Sequence, residues 1–284
     1  MNLPTPLISP EALRAAMASD PAPVLIDVSF DLADPAAGEA AYLQAHLPGA
    51  HYLHLERDLS GAKTGRNGRH PLPTREDFAA RIAALGIGPD TPVVVYDRQG
   101  AMFAARAWWM LRWLGHQAVA VLDGGLPAWQ AIGAALQAGP VAPPAPRAYP
   151  LRPAAVAMRD AQAVLQALGT PGQRLIDARA PERYRGDVEP LDPVAGHIPG
   201  AINRFFKDNL DADGRFRPAQ ALQAEFRALL GDTPVQAVVH QCGSGVTACH
   251  NLLAMEAAGL HGSALYPGSW SEWCADPTRP VERG

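Results

Sequence analysis

The chain has 284 residues, 48% of them apolar and 18% charged, with a formal net charge of −4 and three cysteines. This describes a folded protein of two domains or one large one, gives no reason to expect nucleic acid or an anionic membrane as partner, and leaves no apolar run long enough for a membrane span. An odd cysteine count argues against a disulfide framework, and the first twenty residues lack the basic start and long apolar stretch of a secretory signal. A reducing, cytoplasmic setting is therefore expected.

Taken in order, short apolar strands are expected at Val24–Val28, Val93–Tyr96 and Ala118–Leu122. They are expected again at Leu175–Ala178, Ala237–His240 and Ser263–Tyr266, with helical stretches between them. Strands alternating with helices predict an α/β fold, each domain a mainly parallel sheet flanked by helices.

The two sets of strands belong to an internal repeat. Leu25-Ile26-Asp27 returns as Leu175-Ile176-Asp177, and His46-Leu47-Pro48-Gly49-Ala50 as His197-Ile198-Pro199-Gly200-Ala201. Leu122-Asp123-Gly124-Gly125 lines up with Leu265-Tyr266-Pro267-Gly268. A repeat this long means duplicated domains, because solenoid periods are roughly 20–50 residues. Between the copies, Gly139 to Pro153 holds six prolines, which reads as a stiff, extended linker. The domains expected are 1–140 and 154–284.

The copies differ in one loop. His46 and Asp97 are 51 positions apart, while His197 and Cys242, their counterparts, are 45 apart. The excess falls in the glycine-rich, polar stretch Ser60–His70, bracketed by Asp58 and His70. A long loop within a compact domain is usually functional or disordered. In the functional case it would reach the sister copy's site.

The stretch with most chemical content is Val238-Val239-His240-Gln241-Cys242-Gly243-Ser244-Gly245-Val246-Thr247-Ala248. Apolar β-branched residues precede it, and Val246, Cys249, Leu252 and Leu253 follow at helical spacing. A helix is thus predicted to start near Ser244 or Gly245, with Cys242 on a tight strand-to-helix turn. Gly243 and Gly245 let successive backbone N–H groups converge, and the helix start adds partial positive charge. Such a cradle favours a thiolate, as a core cysteine would not require. In the first copy the matching residue is Asp97, followed by Arg98-Gln99-Gly100. A carboxylate cannot act as a sulfur nucleophile and would repel an anion, so that loop is read as silent; it also lacks the Gly-Ser-Gly path that would turn its amides inward.

Cys-Gly-Ser-Gly-Val-Thr-Ala resembles the active-site loop of the rhodanese superfamily, in the form carried by 3-mercaptopyruvate sulfurtransferases. The resemblance extends over nearly the whole chain. It implies two similar α/β domains, a silent first one, and a catalytic Cys242 that takes up sulfur as a persulfide without any cofactor. It implies that the first domain supplies Asp58 and His70, which with Ser244 would handle a proton. Gly243, Gly245, Val246 and Thr247 would line the donor site.

Arg183 and Arg185 follow the first strand of the second copy, where open α/β sheets place their ligands. They read either as solvated arginines or as an anion receiver. The resemblance matches Arg183 to one arginine that holds the donor's carboxylate. The family's second arginine comes nine residues later, where this chain has Asp192, so a weakened carboxylate grip is expected.

The donor would be a small anion and the acceptor a thiol, such as thioredoxin or glutathione, or cyanide. A thiosulfate sulfurtransferase is the near alternative, although Gly243 and Ser244 lack the basic character typical of that loop. A cysteine-dependent phosphatase would need Arg where Ala248 stands, and a non-enzymatic tandem binding module would have no use for the Cys242 loop. Cys249, Cys274 and nine scattered histidines form no zinc spacing. Asp27, Asp177 and Arg179 at strand ends, and the two His-x-Pro-Gly-Ala turns, are read as structural.

Overall fold

Each half of the chain builds a five-stranded sheet in which every neighbouring pair is parallel. The computed structural model describes Leu3 and residues 6–284. The first sheet holds β1 (Leu7–Ile8), β2 (Val24–Asp27), β3 (His51–Tyr52), β4 (Val93–Tyr96) and β5 (Val119–Leu122), in the order β1-β5-β4-β2-β3. The second holds β6 (Ala157–Met158), β7 (Arg174–Asp177), β8 (Ile202–Asn203), β9 (Val238–Gln241) and β10 (Ala264–Leu265), in the order β6-β10-β9-β7-β8. The second order repeats the first, strand for strand. The duplication in sequence is therefore a duplication of topology.

Parallel neighbours need crossovers, and helices supply most of them. The first half has α1 (Pro10–Met17), α2 (Ala37–Gln44), α3 (Arg75–Ala84), α4 (Ala104–Trp113) and α5 (Gly125–Ala131). The second has α6 (Ala161–Gln166), α7 (Pro181–Arg185), α8 (Ala219–Leu230), α9 (Ala248–Ala257) and α10 (Ser269–Trp273). Strands β4, β5 and β9 are buried at every residue, as strands covered on both faces are. Leu25, Val94, Leu122 and Trp129 lie in one core, and Leu175, Val239, Tyr266 and Trp270 in the other. Trp108 and Trp109 are buried on α4.

All six expected strands form, β4 with the bounds expected and the other five with ends shifted by one residue. Ala237 instead closes a short 3-10 turn, and the strand runs on to Gln241. The four strands not expected are the sheet edges, each two residues long. Two residues carry no periodicity, and short edges also limit unwanted pairing. The repeated turns match in detail: His46 Nδ1 lies 2.8 Å from the Tyr42 carbonyl, and His197 Nδ1 lies 2.8 Å from that of Tyr184. Each histidine stacks on the same tyrosine.

The chain divides into two compact units, each of which takes a short segment from the other half of the sequence. The first comprises the described residues up to Gly61, Pro73–Ala155 and Ala212–Phe216; the second comprises Ala62–Leu72, Val156–Asp211 and Arg217–Gly284. The proline-rich stretch forms no helix or strand. It is tied to the first unit, where the Arg147 amide donates to the Ala83 carbonyl, Tyr149 meets His116 at 2.8 Å, and Arg152 pairs with Asp90. None of the described helices is long and apolar enough to cross a membrane.

Candidate active site

Strand β9 ends at Gln241 and delivers Cys242, which is 2% exposed, to the turn before α9. The helix begins at Ala248, several residues later than the sequence pattern suggested. Gly245 sets this delay. Its φ of +76° is left-handed, and a Cβ there would stand 2.1 Å from the Pro267 carbonyl oxygen, so the turn cannot continue as helix or accept a side chain. Residues 243–247 thus form a separate loop.

The start of α10, following β10, clamps this loop. Ser269 has a φ of +54°, and its hydroxyl donates to the Tyr266 carbonyl while accepting the Cys242 amide at 3.1 Å. The amides of Trp270 and Ser271 donate to the carbonyls of Cys242 and Gly243, both at 2.9 Å. This clamp went unrecognised in the sequence, although Pro267-Gly268 marked a turn there. Beneath it Asp177 and Arg179 form a buried ion pair at 2.6 Å, and Arg179 lies 4.8 Å over the Trp270 ring. Asp177 repeats Asp27, but Ser29 stands at the place of Arg179, and Arg179 interacts electrostatically with Cys242.

The segment Ala62–Leu72 brings His70 to the turn. His70 is 4% exposed, and its Nδ1 lies 2.7 Å from the Ser244 hydroxyl oxygen. The Arg69 amide donates to the Ser271 hydroxyl at 3.0 Å. Asp58 lies in the first unit, where its carboxylate accepts the His54 amide at 2.7 Å and pairs with Arg81 at 3.1 Å.

Arg183 and Arg185 share the short helix α7 rather than a loop, and they diverge. Arg185 pairs with Asp187 at 2.8 Å, both about half exposed. Arg183 turns to Glu189, at 2.7 Å, and lies 3.5 Å from Asp192. Asp192 also accepts a hydrogen bond from the Arg69 guanidinium. Burial pushes the Asp192 carboxyl up from its ordinary range, and the hydrogen bond from Arg69 opposes that shift. Glu189 and Arg69 were not singled out from the sequence. Neither belongs to a local pattern that would have marked it.

The other cysteines differ in setting. Cys249 donates its thiol to the Gly245 carbonyl. Burial is the main cause that pushes the Cys274 thiol up to about 11, so it stays protonated at neutral pH. Of the loop candidates, Val246 is buried and Thr247 half-buried. A cavity of about 800 Å³ opens at the N-terminal ends of β7, β8 and β9, away from Cys242, and none of the candidate residues lines it.

In the first unit Asp97 occupies the position of Cys242. Its carboxylate accepts the amides of Gln99 and Ala101, and of Phe103 and Ala104, at 2.8 to 2.9 Å. Burial nonetheless pushes its carboxyl up, against these bonds. The expectation that this loop lacks inward amides is therefore wrong: the amides converge, and the aspartate fills the cradle they make.

Fold and site together define a duplicated parallel α/β protein with one buried cysteine turn and one turn closed by its own carboxylate. The rhodanese-like domain family matches the chain twice, over residues 9–132 and 160–276. The sequence is 50% identical to a Pseudomonas aeruginosa protein named "Probable 3-mercaptopyruvate sulfurtransferase", over 95% of either chain. It is 46% identical to the Mycobacterium tuberculosis "Putative thiosulfate sulfurtransferase SseB", over 94% of this chain and 93% of that one. The fold matches the crystal structure of SseA from Escherichia coli, described with 3-mercaptopyruvate sulfotransferases, with a TM-score of 0.78 and 32% identity, over 93% of this chain and 98% of that one. The chain belongs to the rhodanese family, in its two-domain sulfurtransferase form.

Proposed function

We propose that this protein moves a sulfur atom from 3-mercaptopyruvate, through a persulfide on Cys242, to a thiol or to cyanide. The observation that carries this reading is the 2.7 Å contact between His70 Nδ1 and the Ser244 hydroxyl, two residues from Cys242. When the Cys242 thiolate attacks the sulfur of 3-mercaptopyruvate, the new S–S bond forms as the C–S bond breaks. The electron pair of that bond leaves with carbon as the enolate of pyruvate. The enolate needs a proton to become pyruvate, and the serine–histidine pair, with Ser244 two residues from Cys242, would deliver one. An acceptor thiolate or cyanide then takes the outer sulfur and restores the Cys242 thiolate.

Arg183 would hold the donor's carboxylate, since a guanidinium fork fits it in two-point contact. Gly243, Gly245, Val246 and Thr247 would shape the wall against which the donor lies. We keep for Asp58 the part in proton handling that the resemblance implies. Thioredoxin, glutathione or cyanide would serve as acceptor. Cys242, Cys249 and Cys274, none of them in a disulfide, suit a reducing cytoplasm.

Thiosulfate is the second reading, favoured by the charge near the loop: an added Cβ on Gly243 would lie within 3.6 Å of nitrogens of two guanidinium groups, which suits an oxyanion. Its leaving group, sulfite, needs no proton from the enzyme, so the Ser244–His70 pair favours mercaptopyruvate. The test is kcat/KM for both donors with one preparation, together with mass spectrometry of donor-treated protein. We expect mercaptopyruvate to be the better donor, with about 32 Da added at Cys242 and no turnover by Cys242→Ser. A wild type far more efficient with thiosulfate would move the assignment to that donor. Full turnover by Cys242→Ser would end the persulfide mechanism.

A further inference from the structure

Asp192 stands where a second arginine was expected, yet a second guanidinium is present. A Cβ added to Gly243, the residue next to Cys242, would lie 2.8 Å from Arg69 Nη2 and 3.5 Å from Arg183 Nη1. Two cationic side chains from stretches more than a hundred positions apart thus meet over the backbone of the cysteine loop. Behind them stand two carboxylates. Glu189 bonds Arg183, and Asp192 bonds Arg69 and approaches Arg183.

The burial of these four groups is uneven. The side chains of Asp192 and Glu189 are each 3% exposed, whereas those of Arg69 and Arg183 are 28% and 18% exposed. The acids are therefore enclosed, and the arginines keep an open side. A guanidinium has five N–H donors in a fixed plane. The carboxylates take the rear donors, which orients each fork and leaves the others beside Gly243.

We infer that Arg69 is a second donor-binding residue, and that with Arg183 it receives the carboxylate or sulfonate end of the sulfur donor. Asp192 is its positioning residue, holding Arg69 against the cysteine loop. This rests on the functional reading above and changes one expectation drawn from the sequence. The aspartate does not leave the grip with one arginine; it recruits the other from the Ala62–Leu72 segment.

The test uses the full-length protein with Arg69→Gln, Arg69→Lys, Asp192→Asn and the double variant Arg69→Gln/Asp192→Asn. Steady-state kinetics are read with 3-mercaptopyruvate and with thiosulfate, and pyruvate binding is read by titration calorimetry. Removing a charged hydrogen-bond partner should raise KM for the preferred donor, and Kd for pyruvate, roughly ten- to hundredfold. The change in kcat should stay within about threefold, the pattern of lost uniform binding. Arg69→Lys should restore part of the affinity, because it keeps the charge and loses the fork. In the Asp192→Asn background the Arg69→Gln effect should shrink to less than about threefold, the coupling that contact residues show.

The donor with the larger KM change identifies which anionic end the pair receives. If Arg69 merely staples its segment to Asp192, Arg69→Gln lowers the melting temperature but leaves KM and the pyruvate Kd unchanged, and the inference falls. An undiminished Arg69→Gln effect in the Asp192→Asn background overturns the positioning role. A wild type that turns over neither donor, yet binds pyruvate more weakly after Arg69→Gln, defeats the functional reading while the arginine pair stands.

Discussion

At the scale of single residues, the proposed function makes Ser244 and His70 the pair that separates the two donors. Under it their 2.7 Å contact counts only where the leaving group must take a proton. Ser244→Ala and His70→Asn should therefore each lower kcat with 3-mercaptopyruvate by roughly a hundredfold or more, the usual range for general acid–base assistance. With thiosulfate the loss should stay below about tenfold. Steady-state rates with both donors check this, and equal losses on both would remove the proton-handling role. The residue types were legible because Cys242-Gly243-Ser244-Gly245 is one local pattern. Arg69 was not, because an arginine beside a histidine on a polar loop has no local mark that tells a ligand contact from a solvated side chain.

At the scale of elements, β9, its turn and α9 form the unit that presents the cysteine, and His240 lies within it. His240 is buried on β9 with Nε2 3.1 Å from the Met255 sulfur, and its Nδ1 has no hydrogen-bond partner. Burial depresses its pKa from 6.5 to about 3. A neutral histidine of this kind contributes its full stability above its unfolded pKa. As pH falls from there toward about 3 the contribution is lost, since the unfolded chain binds a proton that the folded one does not. One such proton is worth about 1.4 kcal/mol per pH unit. The melting temperature should fall on acidification, and His240→Leu should make that fall shallower between about pH 6 and pH 4. Equal slopes for both proteins would place the acid sensitivity in another group. The strand was read correctly because its apolar run is continuous, while the helix start was misread. Periodicity does not register a left-handed glycine that holds the chain out of helix for several residues.

At the scale of the whole molecule, one topology serves twice with different outcomes. The amides around Asp97 are spent on its carboxylate. Arg98, at the place of Gly243, turns its guanidinium to the carbonyls of Ala41 and Ala45. Gln99, at the place of Ser244, donates to the Phe30 carbonyl. The double variant Asp97→Cys/Cys242→Ser should therefore show no sulfurtransferase turnover. It should also melt several degrees lower, since a charged acceptor of this kind is worth about 1.5–3 kcal/mol. Recovered activity, followed with both donors, would mean that the cradle alone makes an active site.

The sequence by itself determined the parallel α/β class, the duplication, the six central strands and the cysteine turn. All of these follow from patterns among near neighbours: apolar runs, glycine placement and matched segments. Only the tertiary structure decided what surrounds that turn. His70 and Ser244 are 174 positions apart, and Arg69 and Asp192 are 123 apart. Their meeting depends on how the Ala62–Leu72 segment packs into the second unit. That packing answers to the burial and hydrogen bonding of a whole surface, which no short stretch of sequence encodes.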